Sequence, residues 1–232
     1  MKKYLYGKLE HLGVFLDGGD TVPENRGIRF CDIIHYKTME NEMVRDDESR
    51  RVFSLDKERF TFEVNGRALD SHDMSDHPEV VIAVPRCYCL CLSNKKDDAV
   101  MFERFKADVC IEVDVDFLVT FIVQVVAKRF PVRVLHGPIN YYPKVMASAP
   151  PIEEALIFYK EEELYSIEAE YRIALVFPEA VYFIAGEDRI DVLKGEEPSY
   201  MQIGHKDRSF WSRVFTQYTR LSGLNRDPAH SA

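Results

Sequence analysis

Alternation of polar and apolar side chains is clearest in Tyr165-Ser166-Ile167-Glu168-Ala169-Glu170-Tyr171-Arg172-Ile173-Ala174-Leu175. Successive residues of a strand point to opposite faces, so Glu168, Glu170 and Arg172 form one row while Ala169, Tyr171, Ile173, Leu175 and Phe177 form the other. The polar row has two readings: a site carried on a rigid strand, or a solvated outer face with a Glu/Arg pair. The same pattern predicts short strands over 4–9, 28–31, 60–66, 79–84, 88–92, 109–115, 180–185 and 190–193, with a turn at Asp17-Gly18-Gly19-Asp20 between the first two.

Helical spacing is rarer. From Asp32 as N-cap, Ile33, Tyr36, Met39 and Met43 recur at near-helical intervals until the charged run Arg45-Asp46-Asp47-Glu48-Ser49-Arg50-Arg51. Residues 97–105 and 152–162 have helical composition, and Asp116 is placed to cap a helix over 117–128 so apolar that most of its surface must be buried. A last helix, 207–221, mixes Phe210, Trp211, Phe215 and Tyr218 with Arg208, Arg213 and Arg220. Many short strands with helices inserted irregularly predict an α+β fold, and the absence of repeats or a long flexible linker predicts one domain over 1–232.

Composition narrows the function classes. With 46% apolar and 12% aromatic residues in 232, a compact core is expected. A formal charge of -9 confines any nucleic-acid contact to a local patch, for which the aromatic and arginine-rich 207–221 segment is the candidate. Three of the five cysteines, Cys87, Cys89 and Cys91, share one strand face and read as small core side chains in a reducing, cytoplasmic setting. No apolar run reaches membrane-spanning length, so no membrane contact is expected.

Phosphate-binding glycine motifs and a G-x-S-x-G elbow are both missing. His72, Asp73, Asp76 and His77 could hold a divalent metal for nuclease chemistry, or form an ordinary polar loop. A third reading is a non-catalytic interaction module that docks through the 207–221 aromatics.

Five blocks, read in order, resemble a widespread bacterial and phage family of domains of unknown function with F-N-D-P-x-E, C-F-S, M-W-x-x-Y, C-x-E-F-D and W-x-x-E-x-E-Y-R segments. Here they are Val44-Arg45-Asp46-Asp47-Glu48, Cys91-Leu92-Ser93, Met101-Phe102-Glu103-Arg104-Phe105, Cys110-Ile111-Glu112-Val113-Asp114 and Tyr165 to Arg172. Arg45 and Asp47 depart from the first pattern, Phe102 and Phe105 from the third, and Tyr165 stands in the tryptophan position. That family is similar in layout to ADP-ribosyltransferase-like toxins, in which a split sheet clamps NAD. The resemblance implies a split, mostly antiparallel sheet, NAD as cofactor, and a protein or nucleic-acid acceptor, with an antitoxin or chaperone as a further partner. It implies Glu170 on the nicotinamide ribose, Glu168 on the acceptor, and Ser93, Arg45, Arg172, Tyr165 and Phe102 as cofactor contacts. Repulsion within the glutamate pair is expected to raise one pKa.

Overall fold

Alternating six-residue runs supply most strands of the largest sheet. A computed structural model describes residues 1–16, 27–43, 45–178, 181–193, 195, 197 and 199–224. The predicted turn at Asp17-Gly18-Gly19-Asp20, Val44 of the first block and Ala180 of the 180–185 strand lie outside the described residues. The sheet contains β1 (Lys2–Gly7), β2 (Ile28–Asp32), β3 (Tyr88–Ser93), β4 (Val109–Asp114), β5 (Arg133–Pro138), β6 (Glu170–Val176), β7 (Tyr200–Ile203) and β8 (Phe215–Arg220). All its pairings are antiparallel, along the path β7-β2-β3-β1-β4-β8, with β6 on β3 and β5 beyond it.

β3 is where this sheet divides. Along one edge β6 pairs with it from Glu170↔Ser93 to Leu175↔Tyr88. The other edge is shared, β2 meeting only Tyr88 and Cys89 and β1 meeting only Ser93. Two arms therefore leave β3 at opposite ends, and a fork opens beside Leu90, Cys91 and Leu92. The α+β class and the mostly antiparallel sheet agree with the sequence reading.

Apolar side chains cover both faces of β3 and β6. On one face Leu90, Leu92, Tyr171, Ile173, Leu175 and Phe177 join a core with the helices α2 (Val115–Ile122) and α3 (Arg208–Val214). On the other, Cys87, Cys89, Ala174 and Val176 pack against Phe53, Leu55, Met146, Leu156 and Ile157. The strand Arg50–Leu55 belongs to a second sheet, between Val145–Met146 and Glu79–Ala83, that lies over this second core. Cys87, Cys89 and Cys91 are free and face that core, as small hydrophobic side chains should.

Four helical expectations change. The segment after Asp32 forms only a short 3-10 turn, Ile33–Thr38, although Asp32 does cap it by accepting from the Ile34 N–H. Asp114, not Asp116, caps α2 by accepting from the Phe117 N–H at 3.2 Å, and Asp116 instead pairs with the N-terminal amine. Residues 152–162 break into the 3-10 turn Glu153–Phe158, the strand Tyr159–Glu161 and the start of the short helix Glu162–Tyr165. The 207–221 helix stops at Val214, and β8 continues from it because pairing with β4 satisfies its backbone. Helix α1 (Ala99–Arg104) forms as expected, capped by Asp98. Among the described residues no helix is long and apolar enough to cross a membrane.

Candidate functional site

Glu170 and Arg172 open β6 with their side chains on the face of the second core, and neither is solvated. Glu168 and Glu170 are each 4% exposed and Arg172 is fully buried, which overturns the outer-face reading of this row. Glu168 is not on the strand at all. It ends the 3-10 turn Ser166–Glu168, and Ala169, at φ +44°, turns the chain into β6. That left-handed conformation costs an alanine about 1–2 kcal/mol. Ser93 and Asn94 hold it: the Ser93 hydroxyl donates to the Glu168 carbonyl at 2.7 Å, and the Asn94 backbone and side-chain N–H groups donate to the Ala169 carbonyl.

Buried charge survives only when paired. Arg172 clamps Glu48 with two parallel bonds, Nη1 and Nη2 each 2.9 Å from a carboxylate oxygen, and its Nε donates to Glu170 at 2.8 Å. Its Nη1 also donates to the Ile157 carbonyl. Arg51 donates to Glu48 at 2.5 Å, and Arg104 to Glu168 at 2.8 Å. Lys160 reaches Glu48 at 3.1 Å, Glu168 at 3.2 Å and Glu170 at 3.0 Å. The first and last of the five sequence blocks thus meet through Glu48 and Arg172.

This pairing decides the protonation states. Burial would raise the Glu170 carboxyl, but Arg172 and Lys160 outweigh it and bring the pKa from 4.5 to about 2. Glu48 is held well below the carboxylate range in the same way, against its own burial, by Arg172, Lys160 and Arg51. Burial would lower the Lys160 pKa, yet the three glutamates keep it well above the usual lysine value. Carboxylate repulsion, the expected cause of a raised pKa, therefore does not govern Glu170. Asp46 is the carboxyl that rises, through burial and its neighbour Glu48.

A depressed folded-state pKa stabilises the fold at pH values above the unfolded one, and that stability fades as pH falls through the folded one. Glu170 should therefore support the fold fully above about pH 4.5 and lose its contribution between there and about pH 2. Denaturant midpoints across this window measure the effect, and Glu170→Gln should flatten that part of the curve. An equal slope in the variant would contradict the assignment.

The network forms the floor of a pocket of about 80 Å³ at the fork of the sheet. Tyr4 and Tyr6 of β1, Tyr36 and Met39 of the turn after β2, and Phe105 line its walls. Cys91, Leu92, Ser93, Lys160, Glu168 and Glu170 complete it. Tyr36 and Cys91 meet at 3.0 Å between hydroxyl and sulfur.

Ser93, Glu168 and Glu170 are thus brought together, and the other sequence candidates are not. Arg172 lies behind Glu170, where its bonds to Glu48 and Glu170 leave it no path to a pyrophosphate. Phe102 is 2% exposed and packs edge-on to Tyr6, so it supports the wall without stacking on a ligand. Tyr165 lies over Lys160 at 4.5 Å and lines a neighbouring groove with Asp46 and Arg50. Arg45 is exposed and donates to the Met39 and Glu40 carbonyls, which makes it a brace for the loop carrying Met39.

Other candidates lose their geometry. Among the described residues no group of three or more His, Cys, Asp or Glu side chains is arranged to hold a metal ion, and the Asp73 side chain of the 71–77 segment lies outside them. Phe210, Trp211 and Phe215 are buried, and Arg213 stacks on Phe117, so α3 presents no aromatic platform to a nucleic acid.

Lys160, Glu48 and Arg104 are the site residues that pattern reading missed. Lys160 was concealed by the helical composition of 152–162, where the strand is only Tyr159–Glu161 and too short to show a period of its own. Against protein-family models, curated proteins and solved structures the chain has no match.

Proposed function

We propose that the chain is an ADP-ribosyltransferase-like enzyme that takes the nicotinamide ribose of NAD into the tyrosine-walled pocket and transfers ADP-ribose to a protein or nucleic-acid acceptor. The observation that carries this reading is the convergence of Ser93, Glu168 and Glu170 on one pocket at the fork of a divided antiparallel sheet. The aromatic walls suit a flat ring. The carboxylates suit hydroxyl donors, because each oxygen has two lone-pair sites and a single protein partner leaves one open.

In the reaction the bond from ribose C1′ to the nicotinamide nitrogen breaks, nicotinamide departs with the electron pair, and positive charge develops on the ribose. Glu170, ionised down to about pH 2, is a fixed negative partner for a ribose hydroxyl as that charge grows. The acceptor's oxygen or nitrogen then bonds to C1′ and gives its proton to Glu168.

Incubation with NAD labelled in the ADP-ribose half and a mixed acceptor pool tests this. Wild type should release nicotinamide and label an acceptor, and Glu170→Gln should fall by roughly 10²-fold, the loss typical of one transition-state hydrogen-bond partner. Circular dichroism confirms that the variant is folded. A wild type that neither binds nor consumes NAD would overturn the proposal.

A further inference from the structure

Lys160 is charged, buried and in the middle of the site, where it donates to Glu168 and Glu170 and pairs with Glu48. An ammonium has three donors. Three carboxylate oxygens, Glu48 Oε1, Glu168 Oε2 and Glu170 Oε2, stand at 3.1, 3.2 and 3.0 Å from Nζ. The Tyr165 ring covers it on a further side. A protonated amine so placed is neither a nucleophile nor an anion-binding cation.

What it does is draw two like charges to one point. Glu168 arrives on a 3-10 turn and Glu170 on a strand, so the backbone alone does not align them. Lys160 takes one oxygen from each, while the other oxygen goes to Arg104 in Glu168 and to Arg172 in Glu170. The remaining capacity of both carboxylates is acceptor-only. Ser93 adds no donor, since its hydroxyl hydrogen goes to the Glu168 carbonyl. A fitting ligand must bring neighbouring donors of its own.

We propose that Lys160 is a positioning residue that binds Glu168 and Glu170 into a single acceptor pair for the vicinal hydroxyls of a ribose ring. The identity of the diol rests on the NAD reading, whereas the clamp rests on the geometry alone. The charged and titratable groups around the ammonium are Glu48 and Asp46 from the 45–49 segment, Arg51 from the second sheet, Cys91 of β3, Arg104 at the end of α1, Tyr141, Tyr165, and Glu168, Glu170 and Arg172.

The test compares wild type, Lys160→Met and Lys160→Arg in two measurements. The first is calorimetric binding of nicotinamide riboside against its 2′-deoxy analogue. Wild type should prefer the riboside by about tenfold or more, the worth of one hydrogen bond to a charged acceptor. Folded Lys160→Met should lose most of that preference, and Lys160→Arg should regain part of it. The second is a carbon-13 titration of the Glu170 carboxyl, in which Lys160→Met should move Glu170 upward by about one pH unit or more.

A folded Lys160→Met with unchanged preference and an unchanged titration overturns the proposal. Wild type that binds neither nucleoside removes the NAD reading, and the titration then decides the clamp by itself. If Lys160→Met does not fold, Lys160→Arg decides: a reduced riboside preference supports the clamp, and an unchanged one overturns it.

Discussion

Arg172→Met should lower the unfolding temperature by roughly 6–20 °C, the consequence of about 3–5 kcal/mol for breaking a buried ion pair in a chain of this size. The loss comes less from missing attraction than from what is left behind. Glu48 keeps only Arg51 and Lys160, Glu170 keeps only Lys160, and neither carboxylate is more than 4% exposed to water. The Ile157 carbonyl loses a donor as well. Calorimetric melts at neutral pH measure the effect, and adding Glu48→Gln to Arg172→Met should recover part of it by removing a stranded charge. A fall in stability under about 1 kcal/mol would mean that water reaches the network and that its burial is wrong.

Trp211→Ala should cost about 3–5 kcal/mol, as deletion of a large buried aromatic does. Trp211 is 1% exposed, stacks on Phe215, lies 4.6 Å from Phe15 and donates its indole N–H to the His205 carbonyl. Had the 207–221 segment been a docking helix, this residue would be its natural anchor and its loss would leave the fold untouched. Tyr218→Ala separates the two cases. Tyr218 is 45% exposed on β8, and its removal should leave stability within about 0.5 kcal/mol of wild type. Equal losses from both variants would remove the distinction between core and surface on this element.

The alternation in 165–175 correctly divides Tyr171, Ile173 and Leu175 from Glu170 and Arg172, because a strand has one period whatever covers it. Where the polar row goes was not legible there. Its cover comes from Arg50–Leu55 and from 145–158, a stretch whose first strand opens on two arginines and so resembles surface. Arg51 is in fact 3% exposed, and Glu48 is what allows it. The identity of a covering partner far along the chain cannot be read from local period. The 207–221 segment failed differently: Phe210, Trp211, Phe215 and Tyr218 suit helical spacing, but the second half pairs with β4 and tertiary contact prevails over local pattern. Alternation and the ordered blocks both pointed to Glu168 and Glu170, the blocks alone to Ser93, and the structure brings the three to one pocket. Lys160 belongs to no such block, and only the convergence of three glutamates on it reveals its place.

Glu48 and Arg172 are separated by 124 positions and joined by two bonds. A change at either position alone breaks both bonds and leaves the other charge buried with fewer partners, so drift at this site favours coordinated replacement. The pair is a unit of inheritance. In a saturation screen of the chain, substitutions at Glu48 and Arg172 should be strongly epistatic, with the rare tolerated combinations being uncharged at both positions.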